Sequence, residues 1–295
     1  MPRSVKSVAN WLQRLETAWS RRNVLGGGAL PEDEGKTPVC VITGGSEGIG
    51  RHLADEFAAR GYALLLIARS EAALETAASE LRRAYRVKVY TAAIDLTLPG
   101  PEKTVAAALD ADALYAEILV NNAAIGLGGA LAQADPARLT ALCRLNIEAL
   151  TSLTRTFLPA MLRRSRGGIL NLGSIGGIFP GAYQAAYYAS KAYVLSFTEA
   201  LAFENAGRGV LISAAAPSAI DTRFHERMGA KRALYLKLQS VMTPARAARI
   251  IVSGFMGRRT LIVPGLVPSF NAFAVRYIPH AILVPFIGWL LRQRY

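Results

Sequence analysis

The sequence contains few of the residues that hold metal ions or form disulfide bridges. It has two cysteines and three widely spaced histidines among 295 residues. Cys40 and Cys143 are too few for a disulfide framework or a four-thiolate zinc site, and no HExxH pair is present. We therefore expect no metal centre, and we expect a reducing, cytoplasmic compartment.

Long apolar runs are also lacking. The longest, at 281–291, contains Pro285 and is shorter than the ~18–20 residues that cross a bilayer. Arg21 and Arg22 are followed by a glycine-rich, acidic stretch instead of the apolar core of an export signal, so we do not expect export. Hydrophobic residues make up 52% of the chain and charged residues 19%, which excludes a disordered protein.

Acidic residues are scarce in the last quarter of the chain. Residues 223–295 contain 12 basic and 1 acidic residue, whereas 38–222 contain 16 of each. Nearly all of the net charge of +13 therefore lies in the last quarter. Such an uneven distribution indicates an anionic partner: an acidic membrane surface, nucleic acid or a phosphorylated substrate. A solvated basic face is the alternative.

From residue 38 onward, short apolar runs alternate with longer stretches of helical periodicity. The runs lie at 39–43, 63–67, 87–91, 118–120, 169–172, 210–214 and 260–263. The helical patterns lie near 48–60, 71–84, 101–113, 135–163, 187–206 and 243–257. This alternation predicts an α/β fold, a doubly wound parallel sheet of seven strands with helices on both faces.

The chain divides into three parts. Residues 1–37 hold a basic amphipathic helix at 4–22 and a glycine-rich linker, and 38–264 form a single domain. The tail at 265–295 is apolar on nearly every side and basic at its end. Its apolar residues must be buried against the protein's own pocket, in a dimer or in a membrane interface, where the 4–22 helix is a second candidate contact.

A glycine-rich turn follows the first strand, with the sequence TGGSEGIG at 43–50. Gly44 permits a tight turn, Gly48 lets the backbone approach a pyrophosphate, and Gly50 allows close packing of helix on strand. The helix that follows supplies free N–H groups and a positive dipole end. The stretch also reads as the GxSxG elbow of serine hydrolases, but such an elbow follows several strands, not the first.

Strand two ends at Arg69, about 20 residues beyond the glycines. Enzymes that use NAD tend to carry an acidic residue there for the ribose 2′-hydroxyl. An arginine suits a 2′-phosphate instead, by charge and by bidentate geometry. Arg69 therefore predicts NADP(H) in preference to NAD(H).

Tyr187 and Lys191 lie four residues apart and so share one face of a helix. A cation in that position lowers the pKa of the tyrosine and prepares it for acid/base work. Ser174 follows the predicted strand at 169–172, and Asn146 lies in the long helix. Most of these residues belong to the carboxyl ends of strands, where open α/β sheets bind ligands.

Together these motifs resemble the short-chain dehydrogenase/reductase family over about 38–264. The resemblance rests on their order and spacing: TGGSEGIG, Asp95-Leu96, NNAA at 121–124, Asn146, Ser174, YYASK at 187–191, and PSAIDT at 217–222. It implies a Rossmann fold. It further implies that Tyr187 is the general acid/base and that Lys191 binds the nicotinamide ribose and depresses the tyrosine pKa. Ser174 would hold the substrate oxygen, and Asn146 would anchor a water in a proton relay.

The same resemblance implies a set of cofactor contacts. Asp95 and Leu96 would flank the adenine, and Asn122 would lie along the adenosine ribose. Ile220 and Thr222 would contact the carboxamide. The remaining contacts belong to the turn and the catalytic helix: Gly44, Ser46, Gly48, Ile49, Gly50, Tyr187 and Lys191.

These observations predict an NADP(H)-dependent oxidoreductase that interconverts a carbonyl and a secondary alcohol. The segment 223–242 resembles a substrate lid, and its apolar residues favour a lipophilic substrate such as a steroid or a long-chain 3-oxoacyl group. We expect a homodimer or homotetramer and no nucleic acid, since no nucleic-acid-binding module is present. The alternative is a non-catalytic NADP-binding sensor or scaffold on the same fold.

Overall fold

The structure is a computed structural model that describes residues 30–229, 241–265, 268 and 274–291. The predicted helix at 4–22 lies outside the described residues. So does the centre of the predicted lid, 230–240, together with parts of the tail.

A parallel sheet of seven strands runs through the described part of the chain, in the order β3-β2-β1-β4-β5-β6-β7. The strands are β1 Thr37–Thr43, β2 Ala63–Ala68, β3 Val89–Ala93, β4 Leu114–Asn121, β5 Gly167–Leu172, β6 Val210–Ala215 and β7 Leu261–Ile262. The seven predicted strands and the doubly wound fold are confirmed. The order reverses between β1 and β4, so a crevice opens there at the carboxyl ends of the strands.

Helices connect the strands and cover both faces of the sheet. They are α1 Gly48–Ala58, α2 Glu71–Tyr85, α3 Pro101–Ala111, α4 Pro136–Cys143, α5 Leu150–Arg163, α6 Ala185–Glu204, α7 Phe224–Arg227, α8 Pro244–Met256 and α9 His280–Leu291. The single helix predicted at 135–163 is α4 and α5 joined by a π-helical segment, Arg144–Ala149. Such wide turns are rare and frequently lie at functional sites.

Two apolar cores, one on each face of the sheet, account for the solidly apolar strands. On one face Phe57 of α1 and Phe255 of α8 are fully buried against the sheet, with their ring centroids 6.2 Å apart. On the other face Val105 of α3 and Met161 of α5 are fully buried. Strands covered on both faces carry few polar side chains, which is the pattern that the sequence showed.

A buried ion pair attaches the end of the predicted linker to the sheet domain. Arg164, just after α5, donates hydrogen bonds to both carboxylate oxygens of Asp33 at 2.9 and 3.1 Å, and to the carbonyl of Ala116 at 3.0 Å. Its guanidinium also lies 4.5 Å from the ring centroid of Tyr115. Residues 30–36 are therefore packed on the domain.

The tail forms α9, and this helix packs on the chain itself. Leu283, Ile287 and Leu291 are buried against Phe179 and Tyr188. Both partners belong to the segment that leads from β5 into α6, next to the predicted catalytic tyrosine. Within the part of the chain that is described, no helix combines the length and the apolar character that crossing a bilayer requires.

Candidate active site

The glycine-rich turn between β1 and α1 requires glycine for conformational and steric reasons. Gly44 and Gly48 have φ angles of +65° and +57°, in the left-handed region that favours glycine. A Cβ on Gly50 would lie 2.1 Å from the Gly44 carbonyl oxygen, so only glycine fits there. The turn thus forms a cradle of backbone groups at the start of α1, which suits the pyrophosphate of a dinucleotide. Ser46 and Ile49 belong to the same turn and are half-buried.

Two side chains brace this turn against β4. The Thr43 hydroxyl donates to the Val120 carbonyl at 3.2 Å and accepts hydrogen bonds from two backbone N–H groups, those of Asn122 and Ala123, at 2.9 and 3.0 Å. The Asn122 amide donates to the carbonyls of Thr43 and Gly44 at 2.8 and 3.2 Å. Asn122 is therefore engaged in holding the turn, and sequence reasoning did not assign this role to Thr43.

The adenine end of the predicted cofactor site is open to solvent. Arg69 is exposed just after β2, and Asp95 follows β3 on the neighbouring strand. Burial raises the pKa of Asp95, but hydrogen bonds from the Thr97 backbone and hydroxyl, together with the Arg69 guanidinium, outweigh it and hold the pKa below its usual value. The Asp95 carboxylate therefore stays ionised near Arg69, while Leu96 beside it is buried.

At the other end of the crevice, α6 presents Tyr187 and Lys191 beside Ser174. The phenol of Tyr187 hydrogen-bonds with Ser174, which lies just after β5. Lys191 is buried, and its Nζ donates to the Leu172 carbonyl at 2.7 Å and lies 5.9 Å from the centroid of the Tyr187 ring. The predicted tyrosine, serine and lysine are thus brought together.

Burial shifts both titratable groups of this cluster. It raises the pKa of Tyr187 to about 12, although the hydrogen bond with Ser174 acts in the opposite direction. It lowers the pKa of Lys191 to about 8, because a buried ammonium loses its hydration. Burial decides the direction of the Tyr187 shift and Lys191 is not among its causes, so the lowering of the tyrosine pKa expected from Lys191 is not found. At neutral pH the phenol is protonated and the lysine is mostly charged.

Asn146 lies in the π-helical segment, and both polar atoms of its side chain hydrogen-bond with neighbouring residues. Its Oδ1 accepts from the Ile125 N–H at 2.8 Å, and its Nδ2 donates to the Ile125 carbonyl at 2.9 Å and to Ser190 Oγ at 3.0 Å. Ser190 Oγ in turn donates to the Tyr187 carbonyl at 2.7 Å. Ser190 therefore links Asn146 to the turn of α6 that carries Tyr187. Ser190 lies inside the YYASK motif, next to Lys191, but the spacing of the motif did not indicate that Ser190 connects Asn146 to Tyr187.

The segment after β6 covers the site with apolar side chains. Ile220 is buried and pairs with Met242, and a Cβ on Gly48 would lie 3.6 Å from the Thr222 methyl group. Farther along, Phe224 in α7 lies with its ring centroid 5.6 Å from that of Tyr187. Met228 packs on the same two rings, and its carbonyl accepts from the Gly128 N–H at 2.9 Å.

An ionic contact ties this covering segment to the glycine-rich turn. Glu47, the residue before α1, accepts hydrogen bonds from Arg223 at 2.6 Å and from both terminal nitrogens of Arg227. The hydrogen bond from Arg227 holds the pKa of Glu47 below its usual value, so the carboxylate is ionised between two guanidinium groups. The partners are some 180 residues apart in sequence, which is why no local pattern indicated the contact.

The predicted site residues all lie at one edge of the sheet, because parallel strands end on the same side. The turn follows β1, and successive strands in chain order are followed by these predicted residues: Arg69, Asp95, Asn122, Ser174 and Ile220. The arrangement offers a backbone cradle for phosphates at one end and a protonated phenol with a hydroxyl partner at the other. Such a pair is suited to proton transfer with an oxygen atom of a bound substrate.

Comparison with known proteins gives matches over most of the chain. The model of the short chain dehydrogenase family matches residues 38–233. A very-long-chain 3-oxoacyl-CoA reductase of Bos taurus is 33% identical over 62% of this chain and 59% of its own length. A galactitol 2-dehydrogenase (L-tagatose-forming) of Cereibacter sphaeroides is 36% identical over 66% of this chain and 76% of its own length.

Solved structures share the architecture. A short-chain dehydrogenase from Sphingobium yanoikuyae in complex with NADPH has a TM-score of 0.73 and 32% identity, over 81% of this chain and 92% of that one. The chain spans about three fifths of the length of the first curated relatives it matches. The family match covers well over half of the chain and contains both the glycine-rich turn and the tyrosine–lysine pair, so this protein belongs to the short-chain dehydrogenase/reductase family.

Proposed function

We propose that the protein is an NADP(H)-dependent oxidoreductase that interconverts a carbonyl and a secondary alcohol on a lipophilic substrate. The observation that carries the proposal is the cluster of Tyr187, Ser174 and Lys191 at the same sheet edge as the glycine-rich turn that would hold the phosphates. An intact cluster of this kind argues against a non-catalytic protein of the same fold that acts only as a sensor or scaffold.

The cradle supports a dinucleotide as the cofactor. The backbone N–H groups at the start of α1 would hold the pyrophosphate, and Lys191 would reach the nicotinamide ribose. Asp95 and Leu96 would flank the adenine, while Ile220 and Thr222 would face the carboxamide. When bound, the nicotinamide supplies or accepts the hydride of the reaction.

Tyr187 handles the proton. With a pKa raised to about 12, the phenol holds its proton at neutral pH and can give it to the oxygen of a carbonyl that is being reduced. Ser174 would hold that oxygen, since its side chain is the hydrogen-bond partner that acts on the pKa of the phenol. Asn146 and Ser190 fix the turn of α6 from which Tyr187 projects.

Arg69 supports NADP(H) over NAD(H). Its guanidinium lies exposed where the ribose 2′-substituent of a dinucleotide is expected, and it has Asp95 as a neighbouring charge. A 2′-phosphate would give Arg69 a second, stronger anionic partner. The NADPH in the related Sphingobium structure is consistent with this choice.

The walls around Tyr187 favour a lipophilic substrate. Phe224 and Met228 lie on one side, and Tyr188 lies on the other with its ring centroid 6.1 Å from that of Tyr187. Phe179 then joins Tyr188 to the buried face of α9. Relatives named for acyl-CoA and for sugar-alcohol substrates both match the chain, so family membership does not decide the substrate. The apolar walls lead us to a long-chain 3-oxoacyl thioester or a steroid.

The experiment is turnover of the full chain with NADPH and a panel of carbonyls: a long-chain 3-oxoacyl thioester, a ketosteroid, retinal and a simple ketone. We expect turnover of at least one lipophilic member. We expect Tyr187→Phe to reduce it by ~10²-fold or more, because the general acid is lost while the ring remains. Tyr193→Phe, the same change on the same helix, is the matched control.

Two results contradict the proposal. One is a chain that binds NADPH but turns over no member of the panel, which favours the sensor or scaffold. The other is a Tyr187→Phe variant as active as the wild type. We also propose a homodimer or homotetramer as the working state, which light scattering of the purified chain measures directly.

A further inference from the structure

Helix α9 is apolar on two opposite faces, and only one of them is covered within the described structure. The inner face packs on Phe179 and Tyr188 through three buried residues. The opposite face presents Ile282, Phe286 and Trp289, which are 64%, 54% and 52% exposed. Their spacing of four and three residues places them on one stripe of the helix. We call this stripe the outer face of α9.

Two aromatic rings of the outer face are in contact. The rings of Phe286 and Trp289 are stacked with their centroids 6.2 Å apart. Tyr277 and Ile278, just before the helix, are 72% and 39% exposed. Large apolar side chains grouped in this way on a surface mark an interaction site, whereas scattered ones do not.

The charge of the surrounding chain identifies the kind of partner. Residues 280–291 contain no charged side chain, but Arg276 precedes them and Arg292 and Arg294 follow them in sequence. They belong to the segment 223–295, which has 12 basic residues and 1 acidic residue. An apolar stripe flanked by arginines matches a surface that is apolar within and negatively charged at its boundary.

We propose that the outer face of α9 docks on an anionic lipid surface, with Ile282, Phe286 and Trp289 inserted at the level of the lipid headgroups. The indole of Trp289 suits this level, because it has an apolar body and one polar N–H. Flanking arginines add electrostatic attraction of about 1 kcal/mol each near such a surface.

A second copy of the chain fits this face less well. A symmetric dimer brings the same surface of each copy together, so each arginine-flanked helix would face another. Like charges that are brought together oppose association of two copies, whereas negatively charged lipids favour binding of the helix. The apolar stripe alone permits either partner, and the charge around it favours lipid.

Docking by this face would place the candidate site close to the lipid. The inner face of α9 contacts Tyr188, the neighbour of Tyr187, so the helix lies between the lipid surface and the apolar walls of the site. A lipophilic substrate would then have a short path to Tyr187. This last step rests on the proposed function, whereas the docking itself does not.

The test is co-sedimentation of the full chain with vesicles of phosphatidylcholine, with and without phosphatidylserine, at low and high salt. We expect binding to the vesicles that contain phosphatidylserine, weakened by salt. Phe286→Gln combined with Trp289→Gln removes the outer face and should lower the partition constant ~10-fold or more. Leu98→Gln combined with Leu131→Gln is the matched control, since these leucines are 60% and 56% exposed elsewhere on the surface.

Trp289 supplies a second measurement. Replacing Trp11 and Trp19 by phenylalanine leaves Trp289 as the only indole, and we expect its fluorescence to shift to shorter wavelength with anionic vesicles. Thermal unfolding of each variant shows whether it is folded. Turnover of a water-soluble ketone by the wild type without vesicles tests the proposed function separately.

Any one of four vesicle results overturns the inference: no binding to anionic vesicles at low salt, equal losses in the outer-face and control variants, an unshifted Trp289 spectrum, or full binding by the Phe286/Trp289 variant. Full binding by that variant would mean that another segment of the chain contacts the lipid. A halved mass of the outer-face variant in light scattering without lipid also overturns it, in favour of a second copy as the partner.

Discussion

Lys191 and Arg69 are two basic residues that we expect to meet opposite ends of one cofactor, and their surroundings could hardly differ more. Lys191 is buried on α6, held by the Leu172 carbonyl, with a pKa lowered by burial to about 8. Arg69 is exposed at the end of β2. Burial therefore makes the charge of Lys191 sensitive to pH, whereas exposure makes the charge of Arg69 sensitive to salt.

The largest expected effect concerns the buried residue, Lys191. The Lys191 ammonium loses its proton above pH 8, because its pKa is lowered to about 8. The Tyr187 phenol, with a pKa of about 12, stays protonated there. We therefore expect kcat/KM for carbonyl reduction to fall by up to tenfold per pH unit above ~8, or roughly 100-fold between pH 7 and 10. A pH profile of kcat/KM measures this. A flat profile from pH 7 to 10 would remove Lys191 from the reaction.

The next largest effect concerns the exposed residue, Arg69, and the affinity for the cofactor. Arg69→Asp replaces the partner of a 2′-phosphate by a like charge, so the affinity for NADPH should fall roughly 10- to 150-fold and that for NADH far less. The wild-type preference for NADPH should also shrink as salt is added, since Arg69 is exposed. Titration of both cofactors is the measurement, with Arg83→Asp, an exposed arginine on α2, as the control. Equal losses for the two cofactors would contradict the role given to Arg69.

The smallest expected effect concerns Ser190, which links Asn146 of the π-helical segment to the Tyr187 carbonyl on α6. Ser190→Ala removes the bridge from Asn146 to the Tyr187 carbonyl, a loss of about 0.5–1.5 kcal/mol, or roughly 2- to 10-fold in kcat. The affinity for NADPH should not change, because no phosphate contact is involved. Ser196→Ala, an exposed serine on the same helix, is the control. If kcat is unchanged and only the melting temperature falls, Ser190 is merely structural.

Much of the fold was accessible from the sequence because strands and helices leave local patterns. The seven strands, buried on both faces, are continuous apolar runs, and the glycine-rich turn needs glycine at Gly50 for a steric reason visible in the structure. Tyr187 and Lys191 were identified because they share one helix face and stand in the family's order and spacing with Ser174 and Asn146. The family follows from these same local motifs.

The rest depends on contacts between distant parts of the chain. The π-helical segment around Asn146 was not predicted, because the Asn146 side chain makes its hydrogen bonds with Ile125 and Ser190, which lie on other elements. The pairing of Glu47 with Arg227 joins the two ends of the site across the fold. The apolar tail had three candidate environments, and only its packing on Phe179 identifies which face of α9 is covered.

The buried ion pair between Arg164 and Asp33 bears on how the protein can be cut. Trimming the chain to the matched region at residue 38 would delete Asp33 and leave a guanidinium enclosed without its counter-charge, which is far worse for a fold than never having had the pair. Crystallographers and engineers who want a minimal enzyme should therefore begin it before Leu30, the residue whose N–H donates to the Asp33 carboxylate.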